Sequence, residues 1–411
     1  MGAPADRAAR QIVLAPIAPA VTGNGLAMRT ALFCRSSPAG VDVVTVVVPV
    51  AGALPTPPSP WPGVTVVPLD PVGARAGSLA LLADARWRDR LGRAGPLPAP
   101  ARAGSPGLVD AVAAACRGDG PVDLHVVRSY LAPLAIAVAG RIGATSATLD
   151  LDDDDVAYAK SIGDREGAAA YERMITVFAP LFDARSASSA FEADAMATRY
   201  GLAVEHVPNA VDLPDPPRRR RSGRVEPCLL FVGNLTYPPN AEAARMLVEE
   251  VLPRVRRRLG AGVRVLLVGN HHRDLERLAG PTVELAGYVA DLDAMYERAD
   301  VVVAPITTGA GTRIKLLEAF AHDVPVVAWP VAASGLAVTG GHHLLLVEDP
   351  EQAAAAVEAV LTDAALAARL VAAARALVRD DYCVDVVEPR IREFLAAAAS
   401  RARDRGQPAW S

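Results

Sequence analysis

Residues 300–322 read DVVVAPITTGAGTRIKLLEAFAH, and this stretch decides the fold class. Its β-branched beginning predicts a buried strand over residues 300–305, and its second half predicts a helix that continues to about His322. A loop that contains Gly309 and Gly311 connects the two. Backbone N–H groups at such a helix start have no partner within the helix and carry partial positive charge, which suits a phosphate group.

Three residues at the start of the predicted helix share one face. Gly311, Lys315 and Glu318 are spaced i, i+4 and i+7. A cation and a carboxylate about one turn apart suit a nucleoside diphosphate sugar, because the cation can meet the diphosphate while the carboxylate accepts from ribose hydroxyls. The alternative interpretation is a solvated helix face that carries an ordinary ion pair.

The alternation of strand and helix continues through all 411 residues. Short apolar runs alternate with Ala- and Leu-rich stretches, which predicts an α/β fold of parallel sheets flanked by helices. Strands are predicted at residues 11–16, 42–49, 64–68, 124–128, 147–151, 184–186, 228–232, 264–268, 283–285, 301–304, 324–328 and 344–347. Helices are predicted at residues 25–34, 106–115, 131–142, 168–179, 190–200, 241–251, 292–298, 313–321, 350–361, 364–379 and 387–399, and Pro- and Gly-rich loops at 51–59 and 93–106.

A proline- and arginine-rich stretch divides the chain. Residues 208–217 read PNAVDLPDPP, and four arginines follow them. Proline fixes φ and removes a backbone donor, so we predict a linker over residues 208–224. Because the chain is longer than a usual single core, we predict two Rossmann-like domains, residues 1–207 and residues 225–385. Residues 386–411 are predicted to form a last helix with a frayed polar tail.

Composition argues against several classes of protein. A net charge of −4 and a pI near 6.0 do not favour a nucleic-acid binder. The start of the chain does not have the pattern of a secretory signal, and the apolar runs are too short to span a bilayer, so we predict a cytoplasmic protein without a transmembrane segment. The four cysteines are scattered without a CxxC pair, so we interpret them as buried small hydrophobic residues and not as disulfides or zinc ligands. They are Cys34, Cys116, Cys228 and Cys383.

Several short segments follow one another in a recognisable order. They are VPNAVD at residues 207–212, FVGNL at 231–235, LAGYV at 285–289, ADVVVAP at 299–305, GTRIKLLEAFA at 311–321, PVVA at 325–328 and LLLVEDP at 344–350. In this order and spacing they resemble the retaining nucleotide-sugar glycosyltransferases of the GT-B fold, glycosyltransferase family 4. The first half is matched less specifically, by Gly23-Asn24-Gly25 with Arg29 and by residues 186–192.

The resemblance implies where the ligands bind. Two Rossmann-like domains face each other across a cleft, the second holding the nucleotide sugar and the first the acceptor, and the C-terminal helix returns to the first domain. Arg313, Lys315 and Glu318 are the implied catalytic residues, since the two cations would stabilise the departing diphosphate and Glu318 would bind ribose. The implied donor-binding residues are Gly23, Gly25, Gly233, Asn234, Asn270, Tyr288, Val289, Thr308, Gly309, Ala310, Gly311 and Thr312. No metal or other cofactor is then required beyond the nucleoside diphosphate sugar itself.

The chain departs from the family pattern at two points. The earlier of the family's paired glutamates would fall at Ala310, so that carboxylate is absent. An arginine and a lysine that many relatives carry just after the first strand of this domain are also absent, and Asn234 with a Pro-Pro-Asn turn stands there. Arg313 and Lys315 can compensate from the helix start. A noncatalytic partner subunit is therefore one alternative function, and a nucleotide-sugar epimerase or a sugar phosphorylase of the same fold is another.

Candidate acceptor-side residues lie in the first half. Arg128 and Tyr130 follow a predicted strand, and ligands gather at the carboxyl ends of parallel strands. Asp153 belongs to the acidic run LDLDDDD at residues 149–155. That run could bind a metal, contact a polar or cationic acceptor, or form a solvated loop. The acceptor itself could be a glycan, a lipid-linked molecule or a small natural product.

Overall fold

A computed structural model describes residues 9–37, 41–49, 61–67, 85–102, 107–214, 226–309 and 314–410. Its contacts divide the chain into two compact units. The first unit comprises the described residues within Met1–Val21, Leu26–Pro208 and Glu388–Ser411, and the second comprises Thr22–Gly25 and those within Asn209–Val387. Residues 215–224, which form most of the predicted linker, lie outside the described residues.

Each unit contains one sheet in which every described pairing is parallel. The strands are β1 (Arg10–Ala15), β2 (Asp42–Val47), β3 (Val64–Val66), β4 (Val122–Val127), β5 (Ser146–Asp152), β6 (Ala184–Ala187), β7 (Glu205–His206), β8 (Cys228–Val232), β9 (Arg264–Val268), β10 (Val283–Gly287), β11 (Val301–Ala304), β12 (Val326–Ala328) and β13 (Leu345–Leu346). The first sheet has the order β3-β2-β1-β4-β5-β6-β7, and the second has the order β10-β9-β8-β11-β12-β13. Both orders run outward from a central first strand in both directions, as in a doubly wound fold.

Helices connect successive strands. The α-helices are Gly25–Arg35, Ala85–Ala94, Leu108–Ala115, Ala132–Ile142, Asp155–Ser161, Arg165–Phe178, Ala190–Tyr200, Pro238–Arg245, Leu252–Leu259, Asp293–Glu297, Ile314–Ala321, Pro330–Ala333, Pro350–Thr362, Ala364–Leu377 and Val384–Arg405. Shorter 3₁₀ segments lie at Ala99–Arg102, Ser129–Leu131, Ala179–Leu181 and Arg273–Leu278, and π-helical turns at Met246–Val251 and Val378–Tyr382. None of the described helices is long and apolar enough to cross a bilayer.

Local sequence explains why these elements form where they do. All five residues of β8 are buried, because a central parallel strand has helices on both faces. Ser189 caps the helix Ala190–Tyr200: its Oγ accepts from the Glu192 N–H at 3.2 Å and donates to Glu192 Oε2 at 3.0 Å. The Ser-x-x-Glu spacing is that of a capping box, and here the glutamate carboxylate accepts from the serine hydroxyl. Asp349 caps Pro350–Thr362 by accepting from two backbone N–H groups at 2.8 Å.

Three sequence-based expectations are corrected by the structure. Helices at Ala85–Ala94 and Asp155–Ser161 and the short strand β7 had no strong apolar pattern and were not expected. The polar tail is not frayed up to residue 405: the last helix continues to Arg405, whose guanidinium pairs with Asp183 at 2.5 Å. Trp410 beyond it is 5% exposed, so burial and an ion pair hold the tail. Cys383 is half-buried, whereas Cys34, Cys116 and Cys228 are buried as expected.

Candidate functional site

The strand order of the second sheet predicts that its candidate site lies at the carboxyl ends of the central strands β8 and β11. The chain passes from β8 to β9 and β10 on one side and then returns to β11 on the other side of β8. In open α/β sheets, ligands bind outside the carboxyl ends of the two strands where this reversal occurs. Gly233 and Asn234 directly follow β8, and Thr308 and Gly309 lie in the segment that follows β11. Thr308 is half-buried, as is Gly309.

The ammonium group of Lys315 lies at the carboxyl end of β8. The Nζ donates to Asn240 Oδ1 at 2.8 Å and lies 4.6 Å from the centre of the Phe231 ring. Asn240 in turn donates to the backbone oxygen of Asn234 at 2.9 Å. A Cβ built on Gly233 would lie only 2.6 Å from Nζ, so the missing side chain at 233 makes room for the cation. Lys315 therefore lies against the backbone that ends β8.

Glu318 lies one turn further along the helix Ile314–Ala321 and is half-buried. The Tyr296 hydroxyl donates to its Oε2 at 3.0 Å. Burial raises the pKa of Glu318 above its ordinary value, while the hydrogen bond from Tyr296 and the positive charges nearby act in the opposite direction. The carboxylate is thus held in a partly desolvated position, where a hydrogen bond to a ligand hydroxyl is stronger than in water.

A second layer supports Glu318. Tyr296 is 1% exposed and stacks on His322, with ring centroids 4.6 Å apart. One ring nitrogen of His322 lies 2.7 Å from the Glu318 backbone oxygen, and the other lies 2.7 Å from Asp293 Oδ1. Burial raises the pKa of Tyr296 well above its ordinary value, so its hydroxyl stays protonated and remains a donor. Contacts with Tyr296 and His322 therefore fix the position of Glu318.

The loops after β8 and β9 approach each other closely. A Cβ built on Gly269 would lie 1.8 Å from the backbone oxygen of Gly233, and Gly269 has a φ of 137°. The Gly269 N–H donates to the backbone oxygen of Gly287 at 2.8 Å. Only glycine fits at 269, because the neighbour is fixed backbone and cannot move aside. Contacts of Gly269 therefore join the carboxyl ends of β8, β9 and β10.

The other predicted donor-side residues have varied surroundings. Tyr288 and Asn270 are exposed, with 67% exposure for Tyr288, whereas Val289 is half-buried. Gly23 and Gly25 belong to Thr22–Gly25, which groups with the second unit. A Cβ on Gly23 would lie 3.9 Å from the Tyr288 ring, and one on Gly25 would lie 3.2 Å from Ile314 Cδ1. Ala310, Gly311, Thr312 and Arg313 lie outside the described residues.

The acidic run of the first unit is a buried charge network, which corrects the interpretation as a solvated loop. Asp150, Asp152, Asp154 and Asp155 are each at most 5% exposed. Arg128 pairs with Asp152 at 3.1 Å, with Asp153 at 3.3 Å and with Asp155. Asp154 caps the helix Asp155–Ser161 and pairs with Arg199 at 2.8 Å. Burial alone would lower the pKa of Arg128, but the surrounding carboxylates raise it above its ordinary value.

The predicted acceptor-side residues meet within this network. Tyr130 is 9% exposed, and the Arg128 guanidinium lies 5.5 Å from its ring centre. Asp153 is more open, with 32% of its side chain exposed. Arg128 and Asp152 adopt positive φ values of 81° and 60°, which is rare for side-chain-bearing residues. Such strain at the ends of β4 and β5 is typical of a functional position.

Behind this network lies a fully buried ion pair. Arg29 donates from Nε and Nη2 to the two carboxylate oxygens of Asp150, each at 2.6 Å, and from Nη1 to the Val207 backbone oxygen at 3.0 Å. Ser186 also donates to Asp150 at 2.8 Å. Neither charge has access to solvent, so each depends on the other. Arg29 therefore belongs to the scaffold of the first unit.

The described part of the chain contains no group of three or more His, Cys, Asp or Glu side chains arranged to hold a metal ion. The acidic run does not form one, because its carboxylates are turned toward arginines.

The comparison with protein families bears directly on the second unit. Residues 226–363 match the family described as glycosyl transferases group 1. The matched segment makes up about one third of the chain and belongs to the second unit. It contains the ends of β8 to β11 together with Lys315 and Glu318. Comparison with the sequences of curated proteins gives no significant match.

Solved structures establish the fold of the whole chain as GT-B, with two Rossmann-like units. A structure of HepE from Anabaena in complex with UDP and glucose superimposes with a TM-score of 0.66 at 14% identity, covering 94% of this chain and 99% of that one. Sucrose-phosphate synthase from Thermosynechococcus elongatus gives 0.64 at 16% identity, covering 94% and 98%. The α,α-trehalose 6-phosphate synthase from Burkholderia multivorans gives 0.62 at 16% identity, covering 98% and 99%.

Several residues of this site in the second unit were not found by sequence reasoning. Tyr296, His322 and Asp293 carry no motif of their own, and only the fold brings them to Glu318. Asn240 was noticed only as part of a turn. One signal was available: the chain contains 40 arginines but only two lysines, Lys160 and Lys315. A lysine in so arginine-rich a chain indicates a position that needs a compact point charge.

Proposed function

We propose that this protein is a glycosyltransferase that moves a sugar from a nucleoside diphosphate sugar to an acceptor hydroxyl, with retention of anomeric configuration. The observation that carries the proposal is the placement of Lys315 and Glu318. One cation and one partly desolvated carboxylate lie on one helix beside the carboxyl end of β8, within the segment that matches glycosyl transferases group 1. The lysine suits the negatively charged diphosphate of the donor, and the carboxylate suits the uncharged ribose hydroxyls.

The diphosphate is assigned to Lys315, to Arg313 and to the backbone amides of residues 309–312. Negative charge accumulates on the diphosphate as the bond to the sugar breaks, and fixed cations lower the barrier by stabilising that charge. Glu318 accepts from the ribose hydroxyls. Asn270, Tyr288 and Val289 are assigned to the surroundings of the nucleotide, with Gly23, Gly25, Gly233 and Asn234 lining the donor by their backbone.

The chemical step needs no protein base. The acceptor oxygen forms a bond to the anomeric carbon on the side from which the diphosphate leaves. The bond between that carbon and the phosphate oxygen breaks, and the proton of the acceptor hydroxyl passes to the departing phosphate. Because cations of the protein neutralise the diphosphate, we propose that turnover needs no added metal, which assays with and without a chelator test directly.

The acceptor is assigned to the first unit. Arg128 and Asp153 are the proposed contacts, with Tyr130 packed against Arg128. The partly exposed Asp153 suits an acceptor that donates hydrogen bonds, such as a glycan, a lipid-linked sugar or a small natural product. We further propose that the protein acts in the cytoplasm, where nucleoside diphosphate sugars are made.

The choice of donor is the first experiment. The Anabaena neighbour HepE is seen with UDP and with UDP-glucose, so UDP heads a panel that also contains GDP, ADP and dTDP. A nucleotide that binds the folded state raises the melting temperature by mass action. Lys315→Met should remove that shift, while Lys160→Met, the other lysine of the chain, should leave it unchanged. Loss of the shift in both variants, or in neither, would contradict the assignment.

The two lysines also allow a direct measurement. Reductive ¹³C-methylation labels Lys160, Lys315 and the terminal amine while keeping their charge. Lys315→Arg identifies its resonance, and titration with UDP should shift that resonance and not that of Lys160. Donor and acceptor are then incubated together and the anomeric configuration of the product is read by NMR. Inversion would overturn retention, binding without turnover would favour a noncatalytic subunit, and conversion of the donor without an acceptor would favour an epimerase.

A further inference from the structure

One face of the first sheet carries a patch of polar side chains near the amino-terminal ends of its central strands, and most of them are buried. Five side chains share this face: Gln11 on β1, Asp123 and His125 on β4, and Ser146 and Thr148 on β5. Parallel sheets ordinarily have two apolar faces, because helices cover both. A buried polar group costs free energy unless it forms hydrogen bonds. We call these five residues the polar floor.

Two nitrogen atoms of the polar floor have no hydrogen-bond partner among the described residues. Gln11 is 4% exposed, and its Oε1 accepts from Ser37 Oγ at 2.7 Å, but its Nε2 is unpartnered. His125 is 1% exposed, and its Nδ1 lies 2.8 Å from Thr148 Oγ1, but its Nε2 is unpartnered. Both residues lie on adjacent strands of one face, so a single molecule can satisfy both.

A cavity of about 220 Å³ lies over the polar floor. Its other wall is the C-terminal helix Val384–Arg405, which contributes Leu395, Ala396 and Ala399, with the exposed Arg403 beside them. The cavity therefore has one hydrogen-bonding wall and one apolar wall. It lies toward the amino-terminal halves of β4 and β5, whereas Arg128 follows the opposite end of β4.

The chemistry of the two walls selects among ligands. The Gln11 amide needs an acceptor, and His125 Nε2 needs a donor or an acceptor according to its tautomer. A hydroxyl group provides both. Asp123 and Arg403 carry opposite charges, so together they favour neither an anion nor a cation. A charged ligand would lose hydration against the apolar wall, which favours a neutral one. The apolar wall suits the C–H face of a carbon skeleton.

Water alone fits this cavity less well. At roughly 30 Å³ each, about seven molecules would fill it, and each needs two to four polar partners. Molecules beside Leu395, Ala396 and Ala399 would lack partners on that side. A polyol places its hydroxyls on the polar floor and its carbon atoms on the helix. We propose that this cavity is a second binding site, for a small neutral polyol of monosaccharide size or less, separate from the site for the nucleotide sugar.

Saturation-transfer NMR on the full chain tests the site, with glycerol and D-glucose as the probes and UDP present in excess to occupy any donor site. Saturation should pass from the protein to at least one probe. Ala399→Phe fills the cavity and should reduce the transfer at least tenfold. Ala397→Phe places the same ring on an exposed position of the same helix that does not line the cavity, and should leave the transfer unchanged.

A second variant removes hydrogen bonding without filling the space. Gln11→Leu keeps the approximate size of the side chain and should weaken probe binding about fivefold or more. Absence of transfer to both probes in the unaltered protein, or equal transfer in Ala399→Phe and Ala397→Phe, would overturn the proposal. The melting-temperature shift by UDP should survive in all three variants, so failure of this site and failure of the proposed function give different results.

Discussion

The Tyr296 hydroxyl donates to Glu318 Oε2 over 3.0 Å, although the two residues lie on different helices. Tyr296 is held in turn by stacking on His322, which bridges to Asp293. The carboxylate thus has a fixed orientation before any ligand arrives. A preorganised acceptor binds a ribose hydroxyl more strongly, because less ordering remains to be done on binding.

Removal of the Tyr296 hydroxyl should weaken binding of ribose-bearing nucleotides. Tyr296→Phe removes one hydrogen bond to a charged group, which contributes about 1.5–3 kcal/mol, and only part of that reaches the ligand. We expect about a five- to twentyfold rise in the Kd of UDP by calorimetry. The Kd of 2′,3′-dideoxy-UDP should change less than twofold, because this ligand lacks the hydroxyls from which we propose that Glu318 accepts hydrogen bonds. Equal losses for both nucleotides would show that Tyr296 acts only on the fold.

A methyl group at position 233 should displace the candidate phosphate-binding cation. In Gly233→Ala, the new Cβ would lie 2.6 Å from Lys315 Nζ and force the flexible lysine away from Asn240. Nucleotide affinity should fall about tenfold or more, with a small change in melting temperature, since the end of a lysine side chain can move at little cost. Gly280→Ala is the control in the same unit, because nothing lies within 4 Å of its added Cβ.

The neighbouring glycine should behave differently. In Gly269→Ala, the added Cβ would meet the backbone oxygen of Gly233 at 1.8 Å, and the strand end itself has to move. We expect a large loss of stability, seen as a lower melting temperature or insoluble protein. A soluble Gly269→Ala protein with an unchanged melting temperature would show that the two loops are not in contact.

The buried Arg29–Asp150 pair should be sensitive to removal of one partner. Arg29→Met leaves a fully buried carboxylate without its cation, and such changes cost about 3–5 kcal/mol. Denaturation in urea should show this loss for the first unit. Arg254→Met breaks the exposed pair with Glu250, which is also an arginine pair but contributes at most about 1 kcal/mol. Similar losses in the two variants would contradict the buried, paired arrangement of Arg29.

His125 should make the stability of the first unit depend on pH. Burial and then Arg29 lower its pKa from 6.5 to about 3. The His125 side chain therefore binds a proton near pH 6.5 in the unfolded chain but not in the folded protein. Its contribution to the free energy of unfolding is fully present above pH 6.5 and is lost as the pH falls toward 3. Between pH 7 and pH 5 this amounts to a loss of about 2 kcal/mol.

The measurement compares unfolding at both pH values in two variants. His125→Gln should remove the loss assigned to this residue. His272→Gln changes an exposed histidine and should keep the pH dependence of the unaltered protein. An identical pH dependence of stability in the unaltered protein and in both variants would contradict the assignment of this effect to His125.

Much of the fold could be predicted from the sequence, because each element carries its own apolar pattern. Strands β8, β9 and β11 match the predicted bounds, since their β-branched and apolar residues are buried on both faces. The helix Ala85–Ala94 was missed because five of its ten residues are charged. It is fixed by packing, with Trp87 stacked on Phe178 at 5.6 Å. Propensity gave no signal there, and a distant partner decided the structure.

In the candidate site too, the sequence predicted the local arrangement but not the contacts between distant segments. The spacing already predicted that Lys315 and Glu318 share one helical face, and both lie on the helix Ile314–Ala321, whereas Gly311 lies outside the described residues. The contacts of Lys315 with Asn240 and of Glu318 with Tyr296 join segments 75 and 22 residues apart, and no local pattern records them.

By itself, the sequence determined the alternation of strand and helix, the parallel character of both sheets and the helical face that carries a lysine and a glutamate. Tertiary structure decided the meaning of the acidic run. The local pattern left open a metal site, an acceptor contact and a solvated loop, whereas in the structure Asp150 meets Arg29 across 121 residues of chain and most of the carboxylates are buried. The reason is physical: apolar periodicity is a local property of the chain, whereas a charge leaves water only where the fold brings its counter-charge within hydrogen-bond distance.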